Sequence, residues 1–355
     1  MPISAVDAIA PAFQHTKQQL LQPFRFTQWL RLAFVGFLAG ELGSGGCNSN
    51  FNVPSTHHPH GSEHFLNTAW PSQFGDHAAL LASLIIPLIV LGLGLFVLFL
   101  YINSIMRFIL FDSIVARECH IRQGWVRRRH NGRRFFVWQL VLTLISAAAF
   151  MLLIGIPLLI AWGQGWFNHP GEHLFPLILG GLLLLLLVLA FIVVLAVITV
   201  MTKDFVVPQM ALEDISAVEG WRRLWVLLKA EKGGYAVYII MKIALAIAAA
   251  IALGIITIIV FLVLLLPIGG LGVAAVLGGK AAGLTWNVNT IALAVVVGCI
   301  VLAALIFVAS MISVPAIVFF PAYSIYFFAA RYPALSALLW PTPPDAPPLP
   351  PAPLG

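Results

Sequence analysis

The sequence predicts an all-α fold, a polytopic transmembrane helical bundle of about six spans arranged as three helical hairpins with interfacial amphipathic helices. Composition supports this prediction: of the 355 residues, 61% are hydrophobic and 9% are charged, whereas a soluble domain carries roughly a quarter charged residues. Hydropathy supports it as well, because several apolar stretches exceed the roughly 20 residues that cross a hydrocarbon core of about 30 Å. We therefore expect lipid to be the main solvent of this chain.

Hydropathy places one weak span and five strong spans along the chain. The weak span, at about 26–42, is short and interrupted by Arg31, so an in-plane interfacial helix is the alternative for this segment. In this prediction residues 1–331 form a single integral membrane domain, 43–77 form an extracytoplasmic loop rich in Gly, Ser and His, and 332–355 form a Pro-rich cytoplasmic tail. The five strong spans lie at about 78–110, 135–162, 174–201, 235–267 and 290–320.

Basic residues predict the orientation of the spans. Seven arginines lie between residues 111 and 134, and five bases lie between 202 and 234. With six spans these segments fall on one face together with both termini, and Lys280 is left on the opposite face. Because cytoplasmic loops carry the excess of Lys and Arg, we predict a multi-pass protein of the cytoplasmic membrane with both termini in the cytoplasm. The net charge of +6 is too small and too dispersed for nucleic-acid binding.

Residues 216–232 predict an amphipathic helix that lies in the plane of the membrane interface. Ser216 and Glu219 have the spacing of a capping box, and the pair Gly233-Gly234 is a stop signal. Apolar residues recur at three- and four-residue steps between 218 and 228, which favours one apolar face. An ordinary interface anchor without a ligand is the favoured interpretation of this helix, and specific contact with anionic lipid is the alternative. The candidate contacts for an anionic inner leaflet lie off the apolar face: Arg222, Arg223 and Lys229.

Two bases, Arg107 and Lys242, lie within the ends of predicted spans. An unpaired base at the bilayer centre costs roughly 2.5 to 3.5 kcal/mol on insertion scales, and such groups often mark a functional site. Asp112 and Asp204 lie at the cytoplasmic ends of two returning spans. Both bases lie near enough to the inner interface for their stems to reach it, so snorkelling is the favoured interpretation. A basic pocket at the inner face, formed by these four residues and able to hold a lipid headgroup, is the alternative.

Histidines are concentrated in the predicted outer loop. Neutral imidazoles suit zinc, copper or nickel, so this cluster is a candidate extracytoplasmic metal site. Its spacing fits no defined motif, and the surrounding Gly, Ser, Asn and Pro are typical of a flexible tether. No resident cofactor is expected from the sequence. The candidate metal ligands are His57, His58, His60 and His64.

Residues 200–265 resemble the membrane-domain superfamily associated with glycerophosphoryl diester phosphodiesterases. The resemblance lies in Asp204-Phe-Val-Val-Pro208, in the connector 210–214, and in the segment AVEGWRRLWVLLKAEKGGYAVYIIMKIAL that follows. It is looser over 20–40 and 110–150. In that superfamily the phosphodiesterase activity belongs to a separate soluble barrel, for which this chain leaves no room after Arg331. The resemblance therefore implies a membrane module of a bacterium or archaeon and carries over no active site.

These patterns favour a non-enzymatic integral membrane module that associates with lipid or that assembles or regulates a partner. No nucleophile elbow, phosphate-binding Gly-rich loop or pair of catalytic carboxylates is present in the sequence. A transporter or lipid-translocating protein that uses the basic inner pocket is the first alternative, and an extracytoplasmic metal-binding membrane protein is the second. The sequence leaves open whether the chain binds a protein partner or forms a homo-oligomer.

Overall fold

The computed structural model describes residues 4–41, 73–166, 171, 173–281 and 288–340, and its secondary structure in these ranges is helical, without strands. This confirms the predicted all-α fold. A five-residue π-helical turn, Thr202–Val206, joins the fifth and sixth helices. In chain order the α-helices are α1 Ile9–Leu21, α2 Phe26–Leu38, α3 Gln73–Val115, α4 Ile121–Gly163, α5 Leu174–Met201, α6 Val207–Glu213, α7 Ala217–Ala230, α8 Lys232–Ala281, α9 Val288–Ala329 and α10 Pro333–Leu339.

Five helical segments of the described chain are long and apolar enough to cross a membrane, which agrees with a multi-pass protein. The first apolar helix, α2, has 13 residues. At 1.5 Å per residue it measures about 20 Å, less than the hydrocarbon thickness of about 30 Å. The crossing predicted at 26–42 therefore stays a prediction, since most of the chain that follows α2 lies outside the described residues. The five segments are Ile86–Val115, Ile121–Gly163, Leu174–Glu213, Lys232–Gly279 and Thr290–Ala329.

The protein core lies at one end of these long helices. In α3, residues 86–99 are mostly exposed, whereas most residues from Leu100 to Ile114 are buried. In α5 the apolar side chains up to residue 200 are exposed or half-buried, and burial begins at Met201. Large exposed apolar surfaces mark contact with lipid or a partner. The exposed halves are therefore the parts that lipid would cover, and the buried halves form a compact base. We use the name base for the buried ends of α3, α4, α5, α8 and α9 together with α1, α2, α6, α7 and α10.

Both described ends of the chain pack into this base. The hydroxyl of Tyr323, near the end of α9, donates to the carbonyl of Ala5 at 3.0 Å. The ring of His15 in α1 contacts the carbonyl of Ile114 at 3.0 Å and the hydroxyl of Tyr326 at 3.2 Å. Residues before α1 and the last helix α10 thus lie at the same end of the bundle as the turn between α3 and α4.

Several helices extend beyond the predicted spans. The arginine-rich segment 111–134, predicted as a loop, is mostly helical: α3 continues to Val115 and α4 begins at Ile121. The start of α4 is stabilised by a buried face that includes Asn131 and Phe135. The pair Gly233-Gly234 lies in the first turn of α8 and does not end α7, whose last residue is Ala230. In the predicted loop 43–77, the described residues 73–77 belong to α3, and in the tail α10 precedes the residues that are not described.

Candidate functional site

A cluster of paired charges lies buried in the base where α2, α3, α5 and α8 meet. The ammonium of Lys203 lies 3.2 Å from the carboxylate of Glu41. The ammonium of Lys242 pairs with the carboxylate of Asp204, which also accepts a hydrogen bond of 2.8 Å from the Tyr238 hydroxyl. Glu41 and Asp204 are 8% and 6% exposed. Burying charges is costly unless they are paired and hydrogen-bonded, and both acids meet that condition here.

The π-helical turn places two of these charges side by side. Pro208 has no backbone N–H, and its ring would clash with the carbonyl four residues earlier in a regular helix. The chain widens into a π-turn at 202–206 before α6 begins at Val207, and such widened turns occur frequently at functional sites. Lys203 and Asp204, which are adjacent in sequence, both line the cavity of the cluster as a result.

Glu41 reaches the cluster through a tight turn at the end of α2. Gly40 adopts a φ of +72°, a left-handed conformation that glycine adopts without steric cost. A Cβ at this position would also lie 2.9 Å from the side-chain nitrogen of Asn103. Burial raises the pKa of Glu41, but the positive charges of Lys203, Arg107 and Lys242 outweigh burial and lower this pKa to about 2. Glu41 therefore carries a negative charge at neutral pH.

Arg107 is the third base of the cluster and bonds mainly to backbone. Its Nη2 donates to the carbonyl of Ala39 at 3.0 Å and approaches the side-chain oxygen of Asn103 at 3.4 Å. No carboxylate oxygen of the described residues lies within ion-pair distance of its guanidinium. Three bases and two acids leave this cluster with one excess positive charge.

The cavity at the cluster has a volume of about 40 Å³. A buried water needs roughly 10 to 15 Å³ of such space, so the cavity holds on the order of three waters. A whole lipid headgroup does not fit into this volume. Apolar side chains of α3 and α9, among them Phe111 and Phe320, complete its wall.

The predicted basic pocket is brought together only in part. Arg107, Lys242 and Asp204 meet as predicted. Asp112 does not join them, because both of its oxygens accept hydrogen bonds of 2.6 Å from Arg128. Sequence reasoning missed two members, Glu41 and Lys203. Both lie within about two residues of a predicted span end. The sequence alone does not distinguish a charge that is paired inside the protein from one that faces water at such a position.

The predicted helix α7 is present, and one of the two hydrogen bonds of its predicted capping box is formed. The Ser216 hydroxyl accepts from the backbone N–H of Glu219 at 3.3 Å. The Glu219 carboxylate instead pairs with Arg222 and Arg223, in each case at 3.3 Å. Arg223 pairs with Glu213 as well. The predicted lipid-contact charges of α7 are thus partly neutralised by acids of the same protein.

The apolar side chains predicted for one face of α7 are divided between the protein core and the exposed surface. Leu224 is fully buried, but Val218 is 64% exposed and Trp225 is 53% exposed. Lys229 lies 5.5 Å from the centre of the Trp225 ring, at cation–π distance. Gly220 allows close packing, since a Cβ there would lie 2.8 Å from Val206. Apolar and basic side chains thus share the exposed face of α7.

The first turns of α4 carry an exposed basic face that sequence reasoning treated only as a topology signal. Arg122, Arg129 and Arg133 recur at seven- and four-residue steps, the spacing of one helix face, and all three are exposed. A groove of about 720 Å³ lies beside this face, between α4 and α7. The seven- and four-residue spacing of Arg122, Arg129 and Arg133 is the sequence signal that could have identified this basic face. The groove is lined by Arg133, Arg134, Val137, Trp138, Val141, Ser216, Ala217 and Val218.

The predicted metal ligands His57, His58, His60 and His64 lie outside the described residues. Within the part of the chain that the structure describes, no group of three or more His, Cys, Asp or Glu side chains is placed to hold a metal ion. The metal-site prediction is therefore untested.

The family DUF7544, described as a family of unknown function, has a model that matches residues 3–338. No curated protein and no solved structure is significantly similar to the chain. The matched range begins before α1 and ends within α10, so it covers the base as well as the long apolar helices.

Proposed function

Because this chain belongs to DUF7544, a family of unknown function, we propose its function from its surface: a non-enzymatic integral membrane protein that associates with anionic lipid along α4 and α7. The observation that carries the proposal is the groove between these helices. One end of the groove is basic, with Arg133 and Arg134, and the walls are apolar, with Val137, Val141 and Val218.

The layout of this groove matches an anionic phospholipid, which has a charged headgroup and apolar chains. Arg134 donates to the backbone carbonyl of Asp214 at 2.8 Å, so its positive charge is not cancelled by a carboxylate in that contact. Beyond the groove, α4 continues as an exposed apolar helix in which Leu144 and Ile145 are each 62% exposed. Acyl chains of a lipid bound by the arginines would lie against this surface. Each base near an anionic leaflet contributes about 1 kcal/mol.

Native mass spectrometry of the detergent-purified protein tests the proposal. Phosphatidylglycerol or phosphatidylcholine is added, and bound lipid is counted for the wild type and for the double variant Arg129→Gln/Arg133→Gln. This variant removes Arg133 of the groove and Arg129, which lies on the same exposed face of α4 outside the groove lining. Loss of two bases removes about 2 kcal/mol, so phosphatidylglycerol affinity falls about 30-fold while phosphatidylcholine binding is unchanged. The double variant Lys17→Gln/Arg117→Gln removes the same charge elsewhere and retains the affinity. Equal phosphatidylglycerol binding by wild type and Arg129→Gln/Arg133→Gln would refute the proposal.

The bases of α7 form a second contact of the same proposal. We expect the triple variant Arg222→Gln/Arg223→Gln/Lys229→Gln to weaken phosphatidylglycerol binding less than its three charges imply, because Glu213 and Glu219 already pair with the arginines. Native mass spectrometry under the same conditions measures the effect. An unchanged affinity would remove α7 from the proposed surface and leave the groove on α4.

The proposed location is the cytoplasmic membrane of a prokaryote, with the base and both termini in the cytoplasm. The support is the arginine content of the α3–α4 region, which shares the base with α1 and α10. Reporter fusions in the loop 43–77 and in the turn 116–120 test the orientation. We expect the two reporters to be active in opposite compartments, and activity in the same compartment would exclude this topology.

A relationship to the membrane domain of glycerophosphoryl diester phosphodiesterases is a further part of the proposal. Its support is the succession of a short connector, a capped helix α7 and a long apolar helix α8 over residues 200–265. A transporter that uses the buried cluster has less support, because two of the three bases are paired with acids and the cavity holds only water-sized groups.

A further inference from the structure

Arg107 lies between two cavities. One is the cavity of the charge cluster, and the other is a cavity of about 150 Å³ between α4 and α5. The residue is 7% exposed, and its Nε–H has no hydrogen-bond partner among the described residues. A buried cation without an ion pair is costly, and a buried donor without an acceptor adds a further penalty.

A second donor without a partner lines the same α4–α5 cavity. The indole N–H of Trp138 is buried and has no acceptor in the described part of the chain. Trp138 lies on α4, and Arg107 comes from α3. Two residues from different helices, each with an orphaned donor, therefore border one cavity, although native proteins satisfy most of their buried polar groups.

The rest of this lining combines apolar side chains, Phe135, Leu142 and Leu195, with polar side chains that are not acidic. Thr143 and Ser146 on α4 and Thr199 on α5 contribute hydroxyls, and Gln139 contributes an amide. Arg107 is the sole charged side chain among the described residues that line the cavity. The guanidinium lies 5.6 Å from the ring centre of Phe135, which also lines it. An acceptor with negative charge is the chemical group that this arrangement lacks.

We infer that the α4–α5 cavity binds one anionic oxygen group, of the phosphate class, through the Nε–H of Arg107 and the indole N–H of Trp138. Hydrogen bonds that involve a charged group are the stronger ones in proteins. The group can belong to a free phosphate or to the headgroup of an anionic lipid. Arg107 does not line the groove between α4 and α7, but Trp138 lines both the groove and this cavity. The experiment below therefore includes a variant that separates the two sites.

Titration of the purified protein in a neutral detergent tests this inference, with inorganic phosphate in one arm and dihexanoyl phosphatidylglycerol in the other. Binding is followed by calorimetry and by the ¹⁵N-indole resonance that disappears from the spectrum of Trp138→Phe. We expect one of the two probes to bind and to shift this resonance. Trp138→Phe removes one hydrogen bond to a charged group, so affinity falls about 10- to 100-fold.

The matched control is Trp162→Phe, which makes the same change at a residue of α4 that is 77% exposed, and its affinity should equal that of the wild type. Binding of phosphate identifies a free anion as the ligand, and binding of phosphatidylglycerol alone identifies a lipid headgroup. The variant Arg129→Gln/Arg133→Gln keeps the resonance shift, which separates this site from the α4 face. If neither probe shifts the Trp138 resonance, or if Trp138→Phe binds as tightly as the wild type, the inference is overturned.

Discussion

Replacing Glu41 by Gln tests whether the buried charge cluster stabilises the base. The pKa of Glu41 is about 2 in the folded chain, against 4.5 for an ordinary glutamate. A difference of one pKa unit corresponds to about 1.4 kcal/mol, so the ionised carboxylate contributes about 3 kcal/mol to the free energy of unfolding. Because the folded pKa is the lower one, this contribution is present above pH 4.5 and is lost as the pH falls toward 2.

We therefore expect Glu41→Gln to be about 3 kcal/mol less stable than the wild type at neutral pH, and the two proteins to converge near pH 2. Denaturant unfolding in detergent at both pH values, followed by tryptophan fluorescence, measures the difference. Glu118→Gln is the control, since the Glu118 side chain is 59% exposed and lies 4.0 Å from Arg25; its stability should match the wild type. A Glu41→Gln variant with the same deficit at both pH values would show that the loss is one of packing and would refute the electrostatic reasoning.

Two further stability predictions concern the same base. Lys242→Met leaves Asp204 without its ion-pair partner, so we expect the free energy of unfolding to fall by about 3 to 5 kcal/mol. The double variant Lys242→Met/Asp204→Leu should largely recover this loss. Equal losses in the single and double variants would contradict this pairing. Gly132→Ala places a Cβ 2.5 Å from Ile105, so we expect a loss of about 1 to 3 kcal/mol in the same unfolding assay. Gly155→Ala, where no atom lies within 4 Å of the added Cβ, should unfold like the wild type.

The spans were predictable because their signal is local. Residues 174–201 were predicted as a span, and α5 has those bounds. The ends of the other long helices were less predictable, since α4 begins 14 residues before its predicted span at 135. Its early turns are polar on one face and are held by Asn131 and Phe135 on the other. A hydropathy window averages the two faces and reports a loop.

Membership in the charge cluster was predictable only for residues whose position near the end of a span can be read from the sequence. Arg107, Lys242 and Asp204 were placed together because each lies near the end of a span. Glu41 joined them through the left-handed turn at Gly40, which depends on how α2 packs. Asp112 left the predicted set because Arg128, 16 residues away, faces it across the α3–α4 hairpin. Such cross-helix register depends on packing angles that are not encoded in the hydropathy of either helix.

Cohesion of this bundle depends on the base because lipid provides little drive for apolar helices to associate with one another. In the most apolar stretches of α5 and α9 no residue is buried within the protein. The helices are joined instead at their buried ends, by a cluster of aromatic rings around Phe205 and by the ion pairs of Lys203 and Lys242. The groove of α4 and the Arg107 cavity both border this joined region. An anion or lipid bound there contacts the part of the protein where the helices are tied together, so binding should raise the free energy of unfolding as well as occupy the site.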